Sequence, residues 1–340
     1  SASESLKKSS EKLKNVGGKM ESVGDTMLKV SAPIIGAGTA SLKFATDFET
    51  SMAKVDTIAD SSRNPIGELR SEIVQLSDKT GIAATEVAEA TYQAISASVD
   101  TAKATEVVGV AAKAAKAGFT DVTTAIDGLT TVLNSYGLEA EKADEIANQM
   151  LITQNEGKTS FGELAQSVGK VTPIAANLNV ATTELFASLA ATTAQGLETS
   201  ESVTALKGAM SNIIKPSQQA ADMAELLGVD FNAAAVETKG WMGFLMDLRK
   251  AMEEADPTLK RISEGMEYNA QKMEKLAKAG KTNTSEYKKL SKLQNQMEQD
   301  LLALAEAQDS PLAGFAQLFG SVQGLNGVLM LTSKQGMQKY

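Results

Sequence analysis

Cysteine and histidine are both absent from the 340 residues. Without cysteine there is no disulfide framework and no thiolate nucleophile or ligand. Without histidine, Ser-His-Asp and Cys-His catalysis are excluded, as are zinc sites built on His or Cys. A carboxylate pair or an all-oxygen Mg²⁺ or Ca²⁺ site stays open, but the aspartates are scattered singly and no spaced Asp/Asn calcium loop occurs. Aromatic residues are scarce at 4%, with a single Trp, although 43% of the chain is hydrophobic. Ala, Leu, Val and Met therefore supply the apolar mass, which suits closely packed helices better than a sandwich or barrel. No strand-like alternation persists over a useful length. No apolar run reaches bilayer-spanning length, and the N-terminal SASESLKKSSEKLK lacks the apolar core of a secretion signal. Positive charge is also short: the net charge of −9 argues against general nucleic-acid binding. These exclusions predict an all-α chain that is not an enzyme, holds no cofactor or metal, and reads no nucleic-acid sequence. The abrupt start and end read as a segment of a longer polypeptide.

The stretch from Gly118 to Gly196 carries four amphipathic helices separated by stop signals. In the first, Val122, Ala125, Ile126, Leu129, Val132, Leu133 and Tyr136 recur at three and four and share one face. Thr120 or Asp121 caps its start and Gly137 its end. The second carries Ala143, Ile146, Ala147, Met150 and Leu151. The third starts at Thr159-Ser160, carries Phe161, Leu164, Ala165, Val168 and Val171, and stops at Pro173. The fourth follows Ala181-Thr182-Thr183 with Leu185, Phe186, Leu189 and Ala190. Helices this short are marginal alone in water and must fold on one another, so this stretch is the expected centre of a helical domain.

Around that centre the chain divides into four parts. Residues 1–43 read as a polar helix with a thin stripe (Leu6, Leu13, Val16, Met20, Val23, Met27, Val30) and a Gly-rich connector. Residues 44–256 form the helical core. They include a helix with Leu69, Ile73, Val74 and Leu76, another with Glu86 and Glu89 in its first turn, and an Ala-rich helix over 102–117. Thr199 and Ser200 cap a helix that Pro216 stops, Ser217 opens the next, and Trp241 is a core anchor. Residues 257–310 form a hairpin, and 311–340 return to the core.

The hairpin is predicted from a heptad repeat. The first arm pairs Leu259-Ile262, Met266-Asn269 and Met273-Leu276; the second pairs Tyr287-Leu290, Gln294-Met297 and Leu301-Leu304. Folded about Gly280-Lys-Thr-Asn, with Asn283 and Glu286 as a capping-box variant, each member finds an opposite. The two polar entries, Asn269 and Gln294, face each other. This spacing predicts an antiparallel coiled coil whose buried amide pair fixes register. The tip half is basic, and Lys275, Lys278, Lys281, Lys288 and Lys289 form a candidate contact patch for an acidic protein surface or lipid headgroups, against the simpler reading of a solvated tip.

These residues resemble a known family. PIIGAG leading into FATDFETSMAKV (Phe44–Val55), LSDKTGIAATEVAEA (Leu76–Ala90), AAKAGFTDVTTAIDGLTTVLNSYG, the long block from GELAQSVGKVTPIAANLNVATTELFASLA to LKGAMSNIIKPS, and LFGSVQGLNGVLMLT (Leu318–Thr332) stand in one order. Together they are similar to the N-terminal core region of phage tail tape measure (minor tail) proteins. The hairpin reads as an insertion in that pattern. The resemblance implies a structural component of a long phage or prophage-derived tail. Such a protein occupies the tail lumen in several copies, sets tail length during assembly in the host cytoplasm, and is expelled ahead of DNA. It implies as partners further copies of itself, the tail tube protein, tail assembly chaperones and tail-tip proteins, with host-envelope contact at ejection, and it carries over no catalytic residue. The runner-up is an envelope- or membrane-interacting module acting through the Gly-rich stretch at 30–40 and the basic tip. A single helix of 340 residues would extend about 510 Å; Pro65, Pro173, Pro216 and the glycine caps predict a compact fold instead.

Overall fold

The computed structural model describes residues 38–306 and 311–340. The stripe of residues 1–30 and the break at Pro33 lie outside the described residues. Two compact units divide the chain, Ser1–Ala53 and Lys54–Tyr340. Of the first, the described part is helical from Gly38 onward, within α1 (Gly38–Ile58). All the described regular structure is helical, as the composition predicts.

The second unit is built around one buried helix. Helices α2 (Ile66–Thr80), α3 (Ala84–Ser96), α4 (Ala104–Ala117) and α5 (Val122–Tyr136) lead into α6 (Ala143–Glu156), α7 (Phe161–Ser167) and α8 (Thr172–Asn177). Of these, α3, α4, α6, α7 and α8 all pack against α5. Its sequence explains why it can be surrounded: Ala125, Gly128, Leu129, Val132 and Thr130 are all buried, so apolar or small residues cover more than a single stripe. Asp121 caps its start by accepting from the Thr124 amide at 2.7 Å, and Gly137 ends it at φ 61°. Gly128 has no side chain to hold Ala165 of α7 away; a Cβ there would lie 2.6 Å from the Ala165 Cβ. The Ala-rich α4 likewise buries Ala104, Ala111, Ala112, Ala114 and Ala115 against its neighbours.

The remaining helices extend this core. They are α9 (Thr182–Ala194), α10 (Thr199–Ile214), α11 (Gln218–Leu227), α12 (Ala233–Lys239), α13 (Trp241–Ala255), α14 (Pro257–Lys278) and α15 (Ser285–Glu306). The C-terminal set is α16 (Pro311–Leu318), α17 (Val322–Leu331) and α18 (Lys334–Lys339). Helix α9 packs on α6, and α17 and α18 return to pack on α9 and α10. Trp241 is fully buried, with its indole Nε1 donating to Ser188 Oγ at 3.1 Å.

Several local expectations need correction. Pro173 does not only stop a helix: a 3-10 turn (Val168–Lys170) intervenes, and Pro173 then occupies the first turn of α8, where its missing N–H costs nothing. Glu198, not Thr199 or Ser200, stands at the N-cap of α10, and both of those residues are already helical. Val74 points outward at 40% exposure, because α2 buries only Leu69 and Ile73. Glu89 lies past the first turn of α3 and instead pairs with Lys54 at 3.2 Å. Helix α12, capped by Asn232, has no counterpart in the sequence reading, since seven residues give too short a period to detect.

Candidate functional site

The hairpin begins where Asp256 caps α14, its carboxylate accepting from the Thr258 amide at 2.8 Å, with Pro257 at the first helical position. A turn through Gly280 (φ 68°) reverses the chain. The cap of α15 is Thr284, whose hydroxyl accepts from the Tyr287 amide at 3.3 Å, rather than the expected Asn283. Helix α15 folds back so that Met297 reaches Gly265, where an added Cβ would lie 2.7 Å from the Met297 methyl. Among the described heptad positions, Leu259 and Asn269 are buried and Ile262, Met266, Met273, Leu276, Tyr287, Leu290, Gln294 and Met297 are half-buried. The side chains of Leu301 and Leu304 lie outside the described residues.

The two polar seam residues behave differently from a bonded amide pair. Asn269 is 3% exposed, and its Nδ2 donates to Met297 Sδ at 3.7 Å, one turn from Gln294. Gln294 Oε1 is buried without a hydrogen-bond partner among the described residues. It lines a cavity of about 30 Å³ at the hairpin base, with Gln195, Arg249, Leu259, Ser263 and Leu329 also on the wall. The space matches roughly one water-sized group.

The base is seated on the core and does not stand free. Helix α14 packs on α13 and α18, and α15 on α16 and α17. At the α13–α14 contact, Arg249 Nε bonds Glu253 Oε1 at 2.7 Å, the Ser263 hydroxyl donates to the same oxygen at 2.9 Å, and the Arg249 guanidinium also reaches Ser263. The Arg249 and Glu253 side chains are only 11% and 22% exposed, so this ion pair is less screened than a surface one.

The outer half is basic and open. Lys275, Lys278, Lys281, Lys288 and Lys289 are all exposed. Lys278 bonds Glu274 at 2.7 Å, and the Lys272 ammonium sits 4.8 Å from the Tyr268 ring centroid. The contact with Tyr268, then the charge of Glu286 on the facing helix, hold Lys272 above the usual ammonium range.

A second polar node joins the C-terminal return to the core, and the sequence reading missed it. Glu184 on α9 accepts from the Ala181 amide at 3.3 Å, the Trp241 amide at 3.3 Å and the Tyr340 hydroxyl at 3.0 Å. Burial and this carboxylate push the Tyr340 phenol well above its ordinary range, and burial does the same at Tyr136. Gln195 adds a bond from its Nε2 to the Met330 carbonyl at 2.9 Å, and Ser333 donates back to Gln195 Oε1 at 3.2 Å. An isolated Glu followed by Trp 57 positions later carries no local signal of such a node. Among the described residues no three or more metal-ligating side chains are grouped to hold an ion, and no helix is long and apolar enough to cross a membrane.

Comparison with known proteins adds the context for this geometry. Residues 70–266 match the phage-related minor tail protein family, a span that runs from α2 through the core into the first arm of the hairpin. The chain is 35% identical over 159 residues to a probable tape measure protein of Clostridium phage phiCD119, covering 45% of this chain and 17% of that protein. It is 27% identical over 203 residues to the tape measure protein of Pneumococcus phage Dp-1, covering 59% of this chain and 18% of that one. The chain thus spans less than a fifth of the length of either relative. No solved structure matches it.

Proposed function

This chain belongs to the phage-related minor tail protein family, and from that premise we propose that it is the folded helical segment of a tape measure protein. In this reading the polypeptide is a structural, non-catalytic part of the virion. It occupies the tail lumen in several copies, sets tail length while the tube assembles in the host cytoplasm, and leaves ahead of the DNA. Its partners are further copies of itself, the tube protein, tail assembly chaperones and tail-tip proteins. The observation that carries the reading is the family match over residues 70–266, which covers most of the buried core of the second unit. Between residues 66 and 255, helices of 6 to 16 residues, interrupted by proline and glycine caps, support a compact role for this segment. The extended ruler then belongs to other parts of the polypeptide.

In-frame deletion of residues 54–340 from the parental gene, followed by electron microscopy, tests the proposal. We expect tails to be absent or to lose their defined length. Wild-type particles treated with protease should protect this segment until ejection is triggered and release it afterwards. Tails of unchanged length and infectivity after the deletion, or a segment digested in intact particles, would overturn the reading.

A further inference from the structure

Between Lys272 and Lys292 the hairpin carries seven lysines against two glutamates, a net +5 within a chain of net −9, which leaves −14 for everything else. Lys275, Lys281, Lys288, Lys289 and Lys292 have no ion-pair partner among the described residues. Ala270 is the last residue of the first arm on the basal cavity, and Lys278 lies about 12 Å further along the helix. For the turn at residues 278–281 that distance exceeds the Debye length of about 8 Å at physiological salt, whereas Lys292 lies two residues from Gln294 on the cavity wall. Like charges are therefore concentrated toward the turn of the hairpin, and of the seven lysines only Lys278 has an ion-pair partner among the described residues.

The charge surrounds an apolar pair. Tyr268 is 58% exposed and Leu293 44%. The Gly265–Met297 contact sets them at nearly the same level of the hairpin. They also share a side. Lys272 follows Tyr268 by one turn on α14, 4.8 Å from its ring, and by heptad position it flanks the seam on the same edge as Glu286 and Leu293 of α15. Lys275 and Lys289 fall on that same side by helical spacing. An aromatic and a leucine with cations around them have the make-up of a protein-binding patch, with an apolar centre and a charged rim.

We propose that this patch docks on the acidic body of a second copy of the same chain. The body supplies the complementary charge: residues 121–201 hold eleven acidic against three basic side chains, net −8. The contact joins two different surfaces, so it is heterologous. Copies add tip to body and form a ring or an open chain, not a two-fold dimer. Nothing in the inference depends on the tail-length role.

Sedimentation velocity on the full chain tests it, with the variant Lys275→Glu/Lys281→Glu/Lys288→Glu/Lys289→Glu, which turns the tip from +5 to −3. At low salt we expect concentration-dependent species beyond the dimer, weakened at least about tenfold near 500 mM NaCl and lost in the variant. The corresponding four Lys→Gln changes should weaken association partway, and unchanged circular dichroism in either variant shows that the fold is intact. Carbodiimide coupling of mixed ¹⁴N and ¹⁵N chains should join tip lysines of one copy to carboxylates in 121–201 of another. A monomer at every salt, association that survives charge reversal, or intermolecular links that avoid the tip would each overturn the proposal. So would a monomer that floats with phosphatidylserine vesicles and stops doing so in the variant, which would assign the patch to lipid.

Discussion

One substitution made at two sites separates close packing from helix propensity. Gly109 lies inside α4 and Gly128 inside α5, so Gly→Ala at either gains about 1 kcal/mol of helix propensity. At Gly109 the new Cβ meets only Leu76 Cδ1, at an ordinary 3.5 Å. At Gly128 it would lie 2.6 Å from Ala165 Cβ and 2.8 Å from Ala165 Cα, and a backbone atom cannot rotate aside. The α5 and α7 helices must then separate, an overpacking cost of about 1–3 kcal/mol. Gly109→Ala should therefore stabilise the protein by about 1 kcal/mol, while Gly128→Ala ranges from neutral to about 2 kcal/mol destabilised. Because the propensity gain is common to both, the difference between the variants reads the overpacking directly. Thermal unfolding followed by circular dichroism should separate the two midpoints by roughly 2–6 °C, at about 2 °C per kcal/mol for a chain of this size. Two variants stabilised equally, within about 0.5 kcal/mol, would refute the idea that α5 is held by glycine-permitted contact.

Other perturbations have equally specific outcomes. Hydrogen bonds from the Thr123 hydroxyl, and from the Thr124 amide and hydroxyl, hold the Asp121 carboxyl at about 2, below its ordinary 3.8. Its cap is therefore fully stabilising above pH 4 and fades as pH falls toward 2. Asp121→Ala should cost about 1 kcal/mol at pH 7, and the gap from wild type in urea unfolding should shrink by pH 2.5. Phe119 sits after α4 at φ 53° and is 94% exposed. Phe119→Gly should therefore raise stability by roughly 1 kcal/mol, by removing a Cβ from the left-handed region at no cost in burial; a lower melting temperature would contradict this. Ser188→Ala leaves the fully buried Trp241 indole N–H without its acceptor and should cost about 1–3 kcal/mol. Loss of the native near-ultraviolet tryptophan signal at lower urea would report it.

Where the sequence was legible, the reason lies in local chemistry. The boundaries of α5 follow from Asp121 and Gly137, because an Asx cap and a left-handed glycine act within a few residues of themselves. Ser217 and Gly228 mark α11 in the same way. The two 22-residue arms of the hairpin could be placed because a heptad repeats one pattern along each of them. Short elements escaped: α12 has fewer than two turns, and the 3-10 turn before Pro173 differs from a helix only by one residue per hydrogen-bonded ring. The hydrogen bond of Asn269 went to Met297 instead of Gln294, because heptad spacing places side chains on a face but does not choose between neighbours one turn apart.

The sequence by itself determined the helical class, the positions of most helix ends and the charge contrast between hairpin tip and body, since each depends on residues close together in the chain. Tertiary structure alone decided which helix is surrounded, how tightly Gly128 meets Ala165, and that one carboxylate at Glu184 ties α9 to Trp241 and Tyr340. It also decided that the hairpin base is clamped through Arg249, Glu253 and Ser263 and is not a loose insertion. Those features join residues far apart in sequence, and a contact between distant positions leaves no periodic trace along the chain.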